Sequence, residues 1–281
     1  MKIAALGDNV PLGTYHFHSR FTHVVNYQND NGIISFVDSA KDLSGRTLLV
    51  SVLPRGEEPV VVFSSHVLVA KRHLSTGDAC QYDSSFEGFA PELSLESFVH
   101  AMKRVLRTNA PELSLAVLYD SGHEVAFTSS FEKAVLARFK KAFASMGGGD
   151  VVDCVDQFKG VGFGLTPSGD DFITGLLYAL SSLAPEGALL ALKKTILERV
   201  QSCTALSFQF MSDAAAGIYP QDIKSLFLCA QSGDDNGVGR HLQDILSHGH
   251  SSGADTIAGM VAGFEWFFTQ RTSEAGIRIR G

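Results

Sequence analysis

The residues best placed for chemistry stand in a short pattern that the chain writes twice. Ser168-Gly169-Asp170-Asp171-Phe172-Ile173-Thr174-Gly175 returns as Ser252-Gly253-Ala254-Asp255-Thr256-Ile257-Ala258-Gly259, with Ser, Gly, Asp, Ile and Gly at equal offsets. Each copy follows a glycine-rich stretch and opens an apolar run of helical period, so the pattern predicts two helix N-termini of one make. Unpaired N–H groups and the helix dipole at such a start favour phosphate or carboxylate. Ser168 with Asp171, and Ser252 with Asp255, fit a capping-box variant that accounts for one aspartate per helix. Asp170 is left over. A carboxylate inside an anion site must hold a metal, take a proton or accept a hydrogen bond from a substrate N–H, which makes Asp170 the candidate substrate contact.

The approach to the first copy is Lys159-Gly160-Val161-Gly162-Phe163-Gly164-Leu165-Thr166-Pro167. Its alternate glycines let backbone N–H groups come close to a ligand, and Pro167 fixes one φ angle at the helix start. No Gly-Lys-Ser/Thr closes the loop, and no strand and later acidic residue frame it, so neither nucleotide-binding fingerprint is met. The candidate anion contacts are Lys159, Gly162, Gly164, Thr166, Ser168, Gly169 and Asp171 from the first copy. From the second come Ser251, Ser252, Gly253 and Asp255. His248-Gly249-His250 stands directly before that second copy. His250 is the candidate general acid or base, or charge stabiliser, beside Asp170. A His-x-His pair also suits zinc, but no further ligands are specified nearby, so neither a metal nor a cofactor is assigned. His16, His18 and His23 read as surface residues of a strand.

The elements that must hold these residues change character along the chain. From Tyr15 to about Cys80 the runs Phe21–Tyr27, Gly32–Val37, Thr47–Leu53, Val60–Phe63 and Val67–Lys71 favour strands, and Asn29-Asp30-Asn31-Gly32 signals a hairpin. Beyond Pro91 a helix is predicted from Ser94, its N-cap, to Thr108, then a strand or buried connector over Leu113–Tyr119. A second helix over Phe131–Ser145 leads to a flexible joint at Gly147-Gly148-Gly149. Helices follow near Asp170–Leu183, Ala188–Ala215, Gln221–Ser232, Gly237–Ser247 and Ala254–Phe268; inside the second of these the hydroxyls of Ser202, Thr204, Ser207 and Ser212 either back-bond, the favoured reading, or face a polar cleft. The expected class is α+β. An N-terminal antiparallel β-rich barrel or sandwich spans residues 1–93, and a mainly α-helical domain spans 94–281, with connecting helices to 149 and motif-bearing helices beyond.

Composition narrows the partners. The 281 residues are 45% hydrophobic and carry a net charge of −7, enough apolar content for a sizeable core and the wrong sign for a general nucleic-acid or anionic-membrane surface. Any anion is then bound locally, by dipoles and a few side chains. Cys80, Cys154, Cys203 and Cys229 lie far apart and read as reduced, structural cysteines. With no apolar run of membrane-spanning length and no signal-peptide pattern after Met1-Lys2-Ile3, the expected location is the cytoplasm.

Gly162-Phe163-Gly164-Leu165-Thr166-Pro167-Ser168-Gly169-Asp170-Asp171 and Gly249-His250-Ser251-Ser252-Gly253-Ala254-Asp255 resemble the two motifs of a bacterial family once described as carboxylase-like, which includes the AllH subunit of oxamate carbamoyltransferase. The resemblance covers mainly residues 150–265. It implies a subunit that works beside two other proteins in converting oxalurate and phosphate to oxamate and carbamoyl phosphate, within allantoin and purine catabolism. Such transfer needs charge stabilisation at a developing oxyanion more than a covalent nucleophile. Two other classes stay open: a non-catalytic binding or scaffolding subunit whose repeats only pack two helices together, and a stand-alone carboxylase-like or amidohydrolase-like enzyme.

Overall fold

The computed structural model describes residues 1–90, 93–147, 149–162, 165–183 and 187–278. The chain divides into two compact units, Met1–Phe86 with Ile218–Ser225, and Glu87–Gly217 with Leu226–Gly281.

The first unit is one curled sheet built from β1 (Ile3–Gly7), β2 (Gly13–Arg20), β3 (Val24–Asn29), β4 (Gly32–Val37), β5 (Thr47–Val50), β6 (Val60–Val62), β7 (His66–Val69), β8 (Arg72–Ser75) and β9 (Cys80–Tyr82). Their order is β8-β7-β6-β2-β3-β4-β5-β1-β9. Neighbours run antiparallel except for β4 with β5 and β1 with β9, which are parallel. The expected hairpin is there: Asn29 pairs with Gly32 around a two-residue turn, and the Asn29 side chain accepts from the Asn31 N–H at 2.8 Å. Alternate strand residues fill the core, where Tyr15, Tyr27, Phe36 and Leu48 are buried and the Tyr27 and Phe36 rings meet edge to face at 5.6 Å. Residues 218–225 join this unit through specific bonds. The Tyr82 hydroxyl donates to the Tyr219 carbonyl at 2.8 Å, and the Gln221 N–H donates to the Leu43 carbonyl at 2.8 Å.

The second unit is helical. It holds α1 (Glu96–Asn109), 3-10 turns at Leu115–Leu118 and Ser121–Ala126, α2 (Ser130–Gly147), α3 (Val151–Phe158), α4 (Ser168–Ser182), α5 (Gly187–Arg199), α6 (Ala205–Ala215), α8 (Asp235–Leu246) and α9 (Ser252–Arg278); α7 (Gln221–Ser232) begins among the residues of the first unit. At its centre α4 packs along α9. Nearly every α4 residue from Gly169 to Leu180 is buried, as is α9 from Gly253 to Phe264. Phe158, Phe172 and Phe139 stack on one flank, and Phe89, Phe98, Phe227 and Phe264 cluster on another. Burying one such ring stabilises the fold by about 1.5–3 kcal/mol.

Several boundaries differ from the sequence reading. β7 stops at Val69 because Ala70 and Lys71, at φ of 47° and 63°, form a tight turn into β8 without the glycine or asparagine that usually announces one. α1 is capped at Leu95 with no side-chain hydrogen bond, so Ser94 is not its N-cap. The Leu113–Tyr119 run is a buried connector, with a 3-10 turn at its middle. The long helix expected over Ala188–Ala215 is two helices, because the Thr204 hydroxyl accepts from the Ser207 N–H at 3.2 Å and starts α6 afresh. Thr204 therefore caps rather than back-bonds. Of the triple-glycine joint, Gly148 lies outside the described residues.

Candidate functional site

The site is made by the first turns of α4 and α9, and the motif glycines decide how closely those helices meet. A methyl group added at Gly175 would overlap the Thr256 carbonyl, and one added at Gly259 would overlap the Phe172 carbonyl. Thr256 and Phe172 hold the same place in the two copies. The contact is therefore reciprocal, related by a local two-fold between the helices. Gly169 and Gly253 show the same economy, pressed against the carbonyls of Phe158 and Ile245.

The aspartates cross over in the same reciprocal way. Asp171 of α4 faces the Ser252 hydroxyl and the Asp255 carboxyl of α9, while Asp255 faces the Ser168 hydroxyl of α4. This corrects the capping-box expectation. α4 begins at Ser168, and its cap, Pro167, provides no side-chain hydrogen bond; Ser168 serves the other copy's aspartate. The backbone of the α4 start is likewise occupied. The Gly169 N–H donates to the Val161 carbonyl at 2.9 Å, and the Asp170 and Asp171 N–H groups donate to the Pro167 carbonyl at 2.8 and 3.1 Å.

Three carboxyls are buried here. Relative exposure is 1% at Asp170, 6% at Asp171 and 0% at Asp255. Asp255 Oδ1 accepts from the Leu115 N–H at 2.6 Å, and Asp170 Oδ1 accepts from the Gly160 N–H at 2.6 Å and from the Cys203 thiol at 3.4 Å. In each of the three, Oδ2 has no hydrogen-bond partner among the described residues. Leaving a buried polar atom unpaired costs about 1–3 kcal/mol, so each of these oxygens is a place for a further hydrogen-bond partner. Burial pushes the Asp255 carboxyl up to about 7, against the pull of the Leu115 N–H and the Ser168 and Ser251 hydroxyls. Burial, and then the Asp255 and Asp170 carboxyls beside it, push Asp171 well above the ordinary carboxylate range, against the Ser252 and Thr166 hydroxyls. Burial first and Asp170 second raise the Cys203 thiol to about 12.

The other expected residues fall around this core or outside it. Thr166 and Ser251 reach Asp171 and Asp255 through their hydroxyls. Gly162, at φ of 130°, packs against the Ser168 backbone nitrogen, a place where a side chain would not fit. Gly253 donates its N–H to the His248 carbonyl at 3.3 Å. Lys159 is engaged by the Asp156 carboxylate at 2.7 Å and the Arg199 carbonyl at 3.1 Å. His250 is exposed and makes no hydrogen bond, ion pair or ring contact among the described residues. Gly164 lies outside the described residues. Among the described residues no cluster of three or more His, Cys, Asp or Glu suits a metal ion, and no helix is long and apolar enough to cross a membrane. The contacts of the Cys203 thiol with Asp170 and of the Leu115 N–H with Asp255 have no local sequence pattern that ties them to the motifs.

Comparison with known proteins agrees with the motif resemblance. Residues 158–264 match the family described as oxamate carbamoyltransferase subunit AllH, which supports an AllH-like family for this chain. That segment holds both motif copies and all three buried carboxyls. No curated protein and no solved structure matches the chain.

Proposed function

We propose, for a chain whose residues 158–264 are AllH-like, that it serves as a subunit of an oxamate carbamoyltransferase and binds a small anionic substrate between the α4 and α9 N-termini. The reaction is conversion of oxalurate and phosphate to oxamate and carbamoyl phosphate, carried out in the cytoplasm with partner subunits in purine catabolism. The observation that carries this reading is the set of three buried carboxyls, each with an oxygen that has no hydrogen-bond partner within the described residues. Their electrostatics fit an anion better than their number suggests. Burial raises Asp255 to about 7 and pushes Asp171 well above the ordinary carboxylate range, which favours the neutral form in which a carboxyl offers an O–H donor to an anionic group. Both helix dipoles point their positive ends at the same place. Asp170 Oδ2 accepts from the substrate amide, and the hydroxyls of Thr166, Ser168, Ser251 and Ser252 complete the polar wall. His250, at the exposed edge before α9, handles a proton or stabilises charge on the carbamoyl group as it transfers. Lys159 acts at longer range, its ammonium shared with Asp156.

A second reading has its own observation. The Gly175 and Gly259 contacts need glycine for packing alone, so the repeat also suits a scaffold with no ligand. Thermal unfolding of the full chain with millimolar phosphate, oxamate or chloride separates the two. Substrate binding raises the midpoint with oxamate or phosphate over chloride, because a ligand that binds only the folded state stabilises it by mass action. An unchanged midpoint with all three leaves the packing reading.

A further inference from the structure

Cys203 stands in the short linker between α5 and α6, and the Thr204 cap that starts α6 fixes where it points. The Thr204 hydroxyl also donates to the Leu165 carbonyl at 2.9 Å, which ties this linker to the glycine-rich approach. From there the thiol reaches Asp170 Oδ1 at 3.4 Å, an ordinary S–H···O separation. The Gly160 N–H reaches the same oxygen at 2.6 Å, from a residue at φ of 69°. Two donors thus converge on one oxygen of a carboxyl that is only 1% exposed, and the other oxygen has no partner among the described residues. Fixing one oxygen of a planar group fixes the direction of the other.

We propose that Cys203 is a positioning residue: with the Gly160 N–H it holds Asp170 Oδ1, so that Oδ2 is presented in one direction to an N–H donor on the ligand. The inference rests on the reading of Asp170 as the substrate contact. A thiol suits the task because it stays protonated here; burial and the neighbouring carboxyl push it up to about 12, so it donates to Asp170 across the physiological range. The same pressure keeps it from acting as a nucleophile. Cys154, also buried in this unit, makes no hydrogen bond to any of the three aspartates among the described residues; the charges that act on it are Asp153 and Asp150.

The test is calorimetric titration of oxamate into the full chain as wild type, Cys203→Ala, Cys203→Ser and Asp170→Asn. Cys203→Ala weakens binding about tenfold, the scale of one lost hydrogen bond to a charged group. Cys203→Ser, which restores a donor, recovers most of that affinity. Loss of binding in Asp170→Asn together with wild-type affinity in Cys203→Ala overturns the positioning role and leaves Asp170 standing. Wild-type affinity in Asp170→Asn, or no binding by the wild type, overturns the Asp170 reading itself and this proposal with it. A second measurement needs no ligand and no stable alanine variant. Alkylation of Cys203 by iodoacetamide at pH 8 speeds up at least about tenfold in Asp170→Asn, relative to exposed Cys80 in the same molecule, because the neighbouring negative charge no longer opposes the thiolate. Equal relative rates contradict contact between the two side chains.

Discussion

The α4 and α9 N-termini share residues at five equal offsets, yet only one of them carries a third carboxyl. Where the copies agree, the shared residues serve packing: Gly175 and Gly259 exchange carbonyl contacts, and Ser168 and Ser252 each face the other helix's aspartate. Where they differ, Asp170 stands against Ala254 and Pro167 against Ser251. The common residues build a symmetric frame, and the differing ones give it a direction. The α4 start thus carries a hydrogen-bond acceptor, Asp170, where the α9 start carries only the methyl group of Ala254.

The frame breaks most easily at its glycines. Gly175→Ala and Gly259→Ala each drive a methyl group into backbone carbonyl, which no rotamer change relieves, so both cost about 3 kcal/mol or more, and by similar amounts. Urea unfolding measures this, and a large cost at one glycine with none at the other breaks the reciprocity. A pH-dependent effect sharpens the electrostatic half of the comparison. Asp255 is held at about 7 in the folded chain against 3.8 for the ordinary side chain, so its stabilising contribution is full below pH 4 and is lost as pH rises through 7. Asp255→Asn does not titrate. Wild-type stability should therefore fall relative to Asp255→Asn by up to about 1.4 kcal/mol per pH unit between pH 4 and 7, read by urea unfolding across that range. A constant difference contradicts a buried, protonated Asp255.

Much of this was legible in the sequence, for physical reasons that also mark where legibility ended. The two helix starts could be read because glycine, serine and aspartate at fixed offsets announce an N-terminus locally, and the β3–β4 hairpin because Asn and Gly announce a tight turn. The roles of Ser168 and Asp171 could not. Within one helix they look like a capping pair, and only the approach of α9 shows that each answers the other copy. α3 went unseen because eight residues between glycine-rich stretches give too short a period to recognise, although Asp150 caps it by accepting from the Asp153 N–H. Cys203 went unseen because its contact with Asp170 joins residues 33 apart in sequence. Residues 218–225 joined the strand-rich unit for the same kind of reason, through carbonyls that carry no sequence signal.

The central claim is that the odd carboxyl of the first copy, and not the shared frame, reads the ligand. A crystal structure of the full chain with oxamate tests it most directly. The account predicts the oxamate amide nitrogen within about 3 Å of Asp170 Oδ2, at the α4 start. Oxamate bound away from Asp170, or held alike by both copies, contradicts it.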